Sequence, residues 1–240
     1  GIDVFVDGVS NLLIEDNIFK NLNETGFGGF PSGASATTGN TVIHNMFLNI
    51  PGSSDPGYIY SGYGIGVIPY NNFYTTIDNN CMTDVRIGVQ TGNFNLADPG
   101  NSHSISNNTI GFNALGIWHN LAYQNASAYV INSNGLTTTN NTTSSGLFIS
   151  SLQNTVGITA VGNSVTGAFA GVELWNNPTS STVTISGGSV TNCVNGVFAN
   201  NYDGYTSNAD PSAYVINGLS ISGGTNGVYV KDNSLNTNAA

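Results

Sequence analysis

One short block recurs along almost the whole chain, with an apolar residue at each end and Asn or Gly inside it. The clearest copies are IEDNIF (14–19), VIHNMF (42–47), IDNNCM (77–82), ISNNTI (105–110) and INSNGL (131–136). Weaker copies are AVGNSV (160–165), ISGGSV (185–190) and INGLSI (216–221). Successive copies start 25 to 35 residues apart, about 29 on average. A period of this length indicates a solenoid of stacked coils.

Each block is expected to contain a bend. Its first and last residues are five positions apart, so an uninterrupted strand would send them to opposite faces. Residues that tolerate left-handed backbone angles stand at the fourth position, where we expect the bend. They are Asn17, Asn45, Asn80, Asn108, Asn134, Asn163 and Gly188. Stacked coils would place these amides above one another in a hydrogen-bonded ladder.

A second mark follows most blocks: a glycine and then alternating apolar residues. It occurs at Gly88, Gly116, Gly171, Gly196 and Gly227, with looser copies at Gly66 and Gly146. Alternation predicts a half-buried strand. Each coil would then hold one strand entering the block, a short one leaving it, and one after the glycine.

These features predict an all-β fold, a right-handed parallel β-helix of about nine coils with three parallel sheets. Residues 1–231 are expected to form a single domain, a segment of a longer chain, and residues 232–240 a polar tail. A β-sandwich is the alternative, because it also has regular turns. It would not repeat one fixed block along its length.

The Ile-x-Asn-Asn-x-Ile and Gly-Val-x-Val patterns resemble those of the pectin-lyase-like superfamily of right-handed parallel β-helix proteins. The resemblance extends from Gly1 to about Lys231 and is specific for the fold. It implies a polysaccharide lyase or glycoside hydrolase as the first activity to consider. Lyases of this fold need calcium and an Arg or Lys base, and polygalacturonase-type hydrolases carry Gly-His-Gly and Arg-x-Lys segments. Neither hydrolase segment occurs in this chain.

Catalytic candidates are few. The only cations are Lys20, Arg86 and Lys231, and Arg86 is expected to form a surface ion pair with Asp84. An enzyme would most readily use Asp84, Arg86 and Glu173. Two carboxylates ~5–10 Å apart would suffice for glycoside hydrolysis. The sequence does not exclude such a pair on different coils of the stack.

Other chemistry-bearing residues are expected to be structural. His44, His103 and His119 occupy separate coils without ligand spacing, so we expect hydrogen-bonded structural roles and no metal site. Scattered loop Asp and Asn leave Ca²⁺ as the one cofactor to consider. Cys81 and Cys193 are several coils apart, too far for a disulfide.

The amino-acid composition limits the classes of partner that we expect. Charged residues make up 7% of the chain, and the formal net charge is −10, which disfavours nucleic acid. No run of 18 apolar residues predicts a membrane span. Few Lys and Arg, little Cys and abundant Asn, Thr and Gly are typical of an exported bacterial protein. We therefore expect a secreted or cell-surface location.

One column of residues stands out as a candidate contact surface. Two positions after each ladder glycine come Ile68, Gln90, Trp118, Phe148, Glu173, Phe198 and Tyr229, with Trp175 beside them. Alternation places this column outside the core. Three interpretations remain open: aromatic faces that stack on sugar rings, a surface covered by a partner protein, or a column buried under the inserted loops.

The sequence thus predicts a non-catalytic β-helical module that serves as an adhesin, stalk or filament segment. Contacts would be made by the flank loops and the aromatic column, and the partner would be an extracellular glycan or another copy or protein of the surface assembly. The alternative is a polysaccharide-degrading enzyme of the pectin-lyase-like fold.

Overall fold

The computed structural model describes residues 1–5, 9–29, 37–52, 64–69, 73–93, 103–122, 129–152, 157–175, 182–201 and 213–232. These residues form β-strands and no helix. Neighbouring strands pair in parallel, for example β8 (Phe73–Asp78) with β10 (Ser104–Ser106). The predicted all-β parallel β-helix is therefore confirmed.

The strands form two sheets. The first has eight strands: β2 (Leu13–Glu15), β5 (Thr37–Ile43), β8, β10, β12 (Tyr129–Asn132), β15 (Gly157–Val161), β18 (Thr182–Ser186) and β21 (Ala213–Asn217). The second has fifteen: β1 (Ile2–Val4), β3 (Ile18–Lys20), β4 (Thr25–Gly29), β6 (Met46–Ile50), β7 (Ile65–Pro69), β9 (Cys81–Asn93), β11 (Thr109–Ala122), β13 (Gly135–Thr137), β14 (Ser145–Leu152), β16 (Ser164–Thr166), β17 (Ala170–Trp175), β19 (Ser189–Thr191), β20 (Asn195–Asn201), β22 (Ser220–Ser222) and β23 (Asn226–Asp232).

Each coil has three straight segments, as predicted. The sheets formed by two of these segments are joined into one. The leading strand enters the block and belongs to the eight-stranded sheet. The trailing strand leaves the block, and the glycine-led strand follows it. In β9 and β11 these two run on as one strand, which merges their sheets. The leading strands number one per block, so the described solenoid has fewer coils than the nine predicted.

The left-handed residue of each bend lies one position earlier than expected. Positive φ occurs at the third block position, in Asp16, His44, Asn79, Asn107, Ser133, Gly162, Gly187 and Gly218. The Asn at the fourth position therefore does not form the left-handed bend, and its side chain is turned inward. Gly188 alone follows the expectation, with a φ of 76° at the fourth position.

The predicted asparagine ladder is present from Asn17 to Asn163. Each Nδ2 donates to the Oδ1 of the next coil's Asn, over 2.9 Å from Asn108 to Asn134. The same Oδ1 accepts the backbone N–H of the preceding Asn. Each amide therefore joins two coils, and Asn45 to Asn163 are buried.

Apolar side chains at the two ends of each block fill the interior. The first block residues Ile14, Val42, Ile77, Ile105, Ile131, Ala160 and Ile185 form one buried column, and the last residues Phe19, Phe47, Met82, Ile110, Leu136, Val165 and Val190 form another. Phe19 and Phe47 stack with ring centroids 4.9 Å apart. The bend thus turns both ends of the block toward one core.

From Gly66 to Gly196, the glycine near the start of each glycine-led strand is required by close approach of the next coil. A Cβ on Gly116 would lie 2.6 Å from the carbonyl oxygen of Gly146, and one on Gly171 would lie 2.7 Å from that of Gly196. Side chains of the trailing strands fill the remaining space, as Val165 does beside Gly146. Only glycine lets the coils stack this tightly at the second corner.

Replacing a central ladder residue should destabilise the fold strongly. Asn134→Ala removes the acceptor for Asn108 and the donor to the Ile105 carbonyl, so buried polar groups lose their partners. We expect the free energy of unfolding in urea to fall by about 3 kcal/mol. Thr137→Ala, on the exposed face of the same coil, is the control and should change it by less than ~0.5 kcal/mol. Equal losses in the two variants would contradict a structural role for the ladder.

Candidate functional site

The aromatic column predicted from the sequence exists as one row of strand register. Gln90 lies opposite Trp118, and Trp118 lies opposite Phe148. The row continues through Glu173 and Phe198 to Tyr229. Parallel pairing therefore brings residues from six glycine-led strands into line, and we refer to this row as the outer column.

The outer column packs in a cluster separate from the main core. Val89, Ile117 and Leu147, one position away on the same strands, belong to the main core. The second cluster consists of Ile65, Ile68, Ile87, Leu115, Trp118 and Phe148, with Ala114 and Trp175 packed against it. The glycine-led sheet thus carries apolar side chains on both faces.

Most of the outer column is buried. Trp118 is 4% exposed, Phe148 1% and Phe198 7%, and only Tyr229 is open, at 42%. Among the described residues, Trp118, Phe148 and Phe198 therefore form no exposed aromatic stripe, which favours the interpretation that the column is covered. Whether Trp118, Phe148, Glu173, Trp175, Phe198 and Tyr229 contact a ligand or partner stays a prediction.

The rings of the outer column contact one another. Trp118 and Phe148 stack with centroids 6.0 Å apart, and Trp175 meets Phe148 edge-on at 5.4 Å. Phe198 and Tyr229 stack at 5.4 Å. Trp118 Nε1 donates to Ser150 Oγ over 3.1 Å, which satisfies its one polar atom. These arrangements hold the rings in fixed positions.

Glu173 interrupts the aromatic rings with a buried carboxyl group. Its side chain is 8% exposed, and the Ser145 hydroxyl donates a hydrogen bond to it. Burial raises the pKa of Glu173 above its ordinary value of 4.5, while hydrogen bonds from Ser145 and Trp175 partly oppose the rise. A carboxyl in such surroundings can keep its proton and act as a donor.

The three residues named for an enzyme are not brought together. Asp84 is exposed, with a φ of 59°. Arg86 is only 7% exposed, so the expectation that it lies in an ion pair at the surface is wrong. Arg86 lies between Val85 and Ile87, where the register between β9 and β11 shifts because β11 has one extra residue. Glu173 lies three strands away in the sheet, ~14 Å at the usual strand spacing.

Two histidines that the sequence placed in separate coils meet inside the solenoid. The ring centroids of His119 and Tyr129 are 4.2 Å apart, and those of His103 and Tyr129 are 5.4 Å apart. Sequence reasoning missed this cluster because it treated each histidine alone. The available signal was register, since His103 and Tyr129 both stand two residues before a block. His44 is different, half exposed and 3.7 Å from Glu15.

Metal and thiol chemistry have little support in the described ranges. Within them, no three His, Cys, Asp or Glu side chains are grouped to hold a metal ion. Cys81 and Cys193 are both free thiols, and burial raises the pKa of Cys193. The same ranges contain no helix long and apolar enough to cross a membrane.

Comparison with known proteins gives no assignment for this site. No protein-family model matches the chain, and searches of curated proteins and of solved structures found no significant match.

The buried carboxyl of Glu173 predicts a pH-dependent contribution to stability. Because its folded pKa is raised, the protonated group is favoured at low pH, and stability is lost as the pH rises above about 4.5. Glu173→Gln keeps the shape without this loss. Urea unfolding between pH 4.5 and 8 should show the variant gaining on the wild type as the pH rises. Thr137→Ala, which changes no ionisable group, should show a constant difference. A constant difference for Glu173→Gln as well would mean that Glu173 is solvated.

Proposed function

We propose that this chain is a non-catalytic β-helical module of a secreted or cell-surface bacterial protein, of the pectin-lyase-like type. It would serve as an adhesin, stalk or filament segment that holds contact surfaces at fixed spacing. The observation that carries the proposal is the ladder from Asn17 to Asn163, because it ties successive coils into one unit. Flank loops and the outer column would add contacts.

A long stretch of the chain with almost no charged residues supports a neutral partner. Between residues 99 and 202 the only Asp, Glu, Lys or Arg is Glu173, which is buried. A surface without charge gives no electrostatic steering toward nucleic acid or polyuronate. Hydrogen bonding is then the main source of specificity for whatever binds there.

The outer face of the trailing strands offers such hydrogen-bonding groups. β11, β13, β16, β19 and β22 pair in continuous register over three residues each. Hydroxyl side chains face outward on both sides of an apolar residue, which is buried in Ser164-Val165-Thr166 and partly buried in Ser220-Ile221-Ser222. Rows spaced by ~4.8 Å present hydroxyls to a neutral glycan. This face supports glycan contact without exposed aromatic rings.

Binding is tested on arrays of neutral and acidic glycans. Thr137→Lys/Thr166→Lys/Ser222→Lys places charge on three exposed positions of this face and should weaken binding to a neutral glycan at least about 10-fold, one lost polar contact being worth ~1.4 kcal/mol. The matched control is Thr76→Lys/Val161→Lys/Val215→Lys, on the exposed face of the eight-stranded sheet. Equal loss in both variants, or no retained glycan, would count against a role for the face.

The outer column has its own test. Trp118→Ala and Phe198→Ala should each lower thermal stability, because a buried aromatic side chain is lost, at a cost of ~3–5 kcal/mol. The column contributes to contact with a ligand if these variants also abolish glycan or cell-surface binding and if Trp118→Phe restores both binding and thermal stability. If binding persists in the folded fraction, the column is structural only.

An enzyme acting on polysaccharide is the second candidate, and Glu173 is the observation that favours it. A buried carboxyl with a raised pKa, between aromatic residues, resembles a general acid in its surroundings. New reducing ends or unsaturated products from a screen of polysaccharides, lost in Glu173→Gln, would establish this alternative. Such products would end the non-catalytic proposal.

A further inference from the structure

A polar cluster interrupts the apolar interior of the solenoid. Its members are all buried within the middle coils: Asn40, Thr75, Thr91, His103, His119 and Tyr129. In later coils the same rows are apolar, since Tyr129 lies opposite Ile158, and Ile158 opposite Val183. His119 likewise lies opposite Ile149, which lies opposite Leu174. In these rows the interior is therefore polar in the middle coils and apolar in the later coils.

The two histidines occupy the corner between the glycine-led and the leading strands. His103 lies between two tyrosine rings, with centroids 5.4 Å from both Tyr74 and Tyr129. His119 contacts Tyr129 from its own strand, and its Nδ1 is 2.8 Å from the Thr91 hydroxyl. Tyr129 is thus shared by both imidazoles, and both rings are 1% exposed.

These surroundings suit neutral imidazoles and oppose charged ones. The groups that face the two rings are the phenols of Tyr74 and Tyr129, the Thr91 hydroxyl, the Thr75 backbone and Ile149. In the described part of the chain, the ion pairs of histidine both involve His44. No carboxylate there balances a charge on His103 or His119.

Electrostatics also favour the neutral form of both imidazoles. Burial lowers the pKa of His103 to about 3, and the backbone of Thr75 opposes this only in part. Burial also lowers the pKa of His119 to about 3, and the neighbouring His103 lowers it further. His119 Nε2 has no hydrogen-bond partner among the described residues, so a proton there would be buried without an acceptor.

We propose that His103 and His119 form an acid-operated latch, which holds the middle coils closed when neutral and releases them when protonated. Opening would begin in the leading and glycine-led strands of residues 73–93, 103–122 and 129–132, because these strands pack directly on the two rings. The coils after residue 157 have apolar side chains in the same rows and would stay closed longer.

The direction of the effect follows from linkage. Both folded pKa values lie below the ordinary 6.5, so the stability contributed by the neutral rings is complete above pH 6.5. It is lost as the pH falls from 6.5 toward about 3. At pH 4.5 each histidine should lower the folding equilibrium constant about 100-fold relative to pH 7.5.

The test compares urea unfolding at pH 7.5 and 4.5. In His103→Phe/His119→Gln, which keeps the ring stack and a hydrogen-bonding group for Thr91, the acid-induced loss should shrink by about 10⁴-fold in the folding equilibrium constant. His44→Gln, at the half-exposed histidine, is the control and should keep the full loss. An unchanged loss in the double variant would overturn the latch.

Hydrogen exchange on the wild-type chain keeps the proposal testable if the double variant does not fold. After correction for intrinsic exchange rates, acidification from pH 7.5 to 4.5 should raise exchange first in residues 73–93, 103–122 and 129–132. Residues 182–201 should keep their protection over the same range. Simultaneous loss of protection in both regions would overturn the latch.

Discussion

The hydrogen bonds between stacked asparagine amides are the interaction on which the rest of the structure depends. From Asn45 onward the side chains are buried, and each one binds the backbone and the side chain of a neighbouring coil. A shift of one residue would break the ladder and turn the block's apolar ends away from the core. The ladder therefore sets the register in which all three strands of each coil are paired.

Correct register has consequences on both faces of the glycine-led sheet. On the inner face it aligns Val89, Ile117 and Leu147 in the main core. On the outer face it aligns Trp118 and Phe148 in a second, buried cluster and places the buried Glu173 next to Phe148. The solenoid thus has more buried surface than one apolar column would provide, which suits the scaffold role proposed for it.

The interior and the surface differ in an informative way. Between residues 99 and 202 the only Asp, Glu, Lys or Arg is the buried Glu173, whereas the interior of the middle coils holds a cluster of hydroxyl, phenol and imidazole groups. Burial keeps His103 and His119 neutral and raises the pKa of Glu173. Protonation of these three buried groups therefore acts on the stability of the fold before it acts on any partner.

The sequence by itself determined the all-β parallel solenoid, the asparagine ladder and the glycine corners, because a repeated block records what every coil must share. Tertiary structure decided the rest: the left-handed residue one position before each Asn, the burial of Trp118 and Phe148, and the meeting of His103, His119 and Tyr129. These features depend on contacts between coils of unequal length. A single period cannot encode them, because burial and proximity arise only when the coils are stacked.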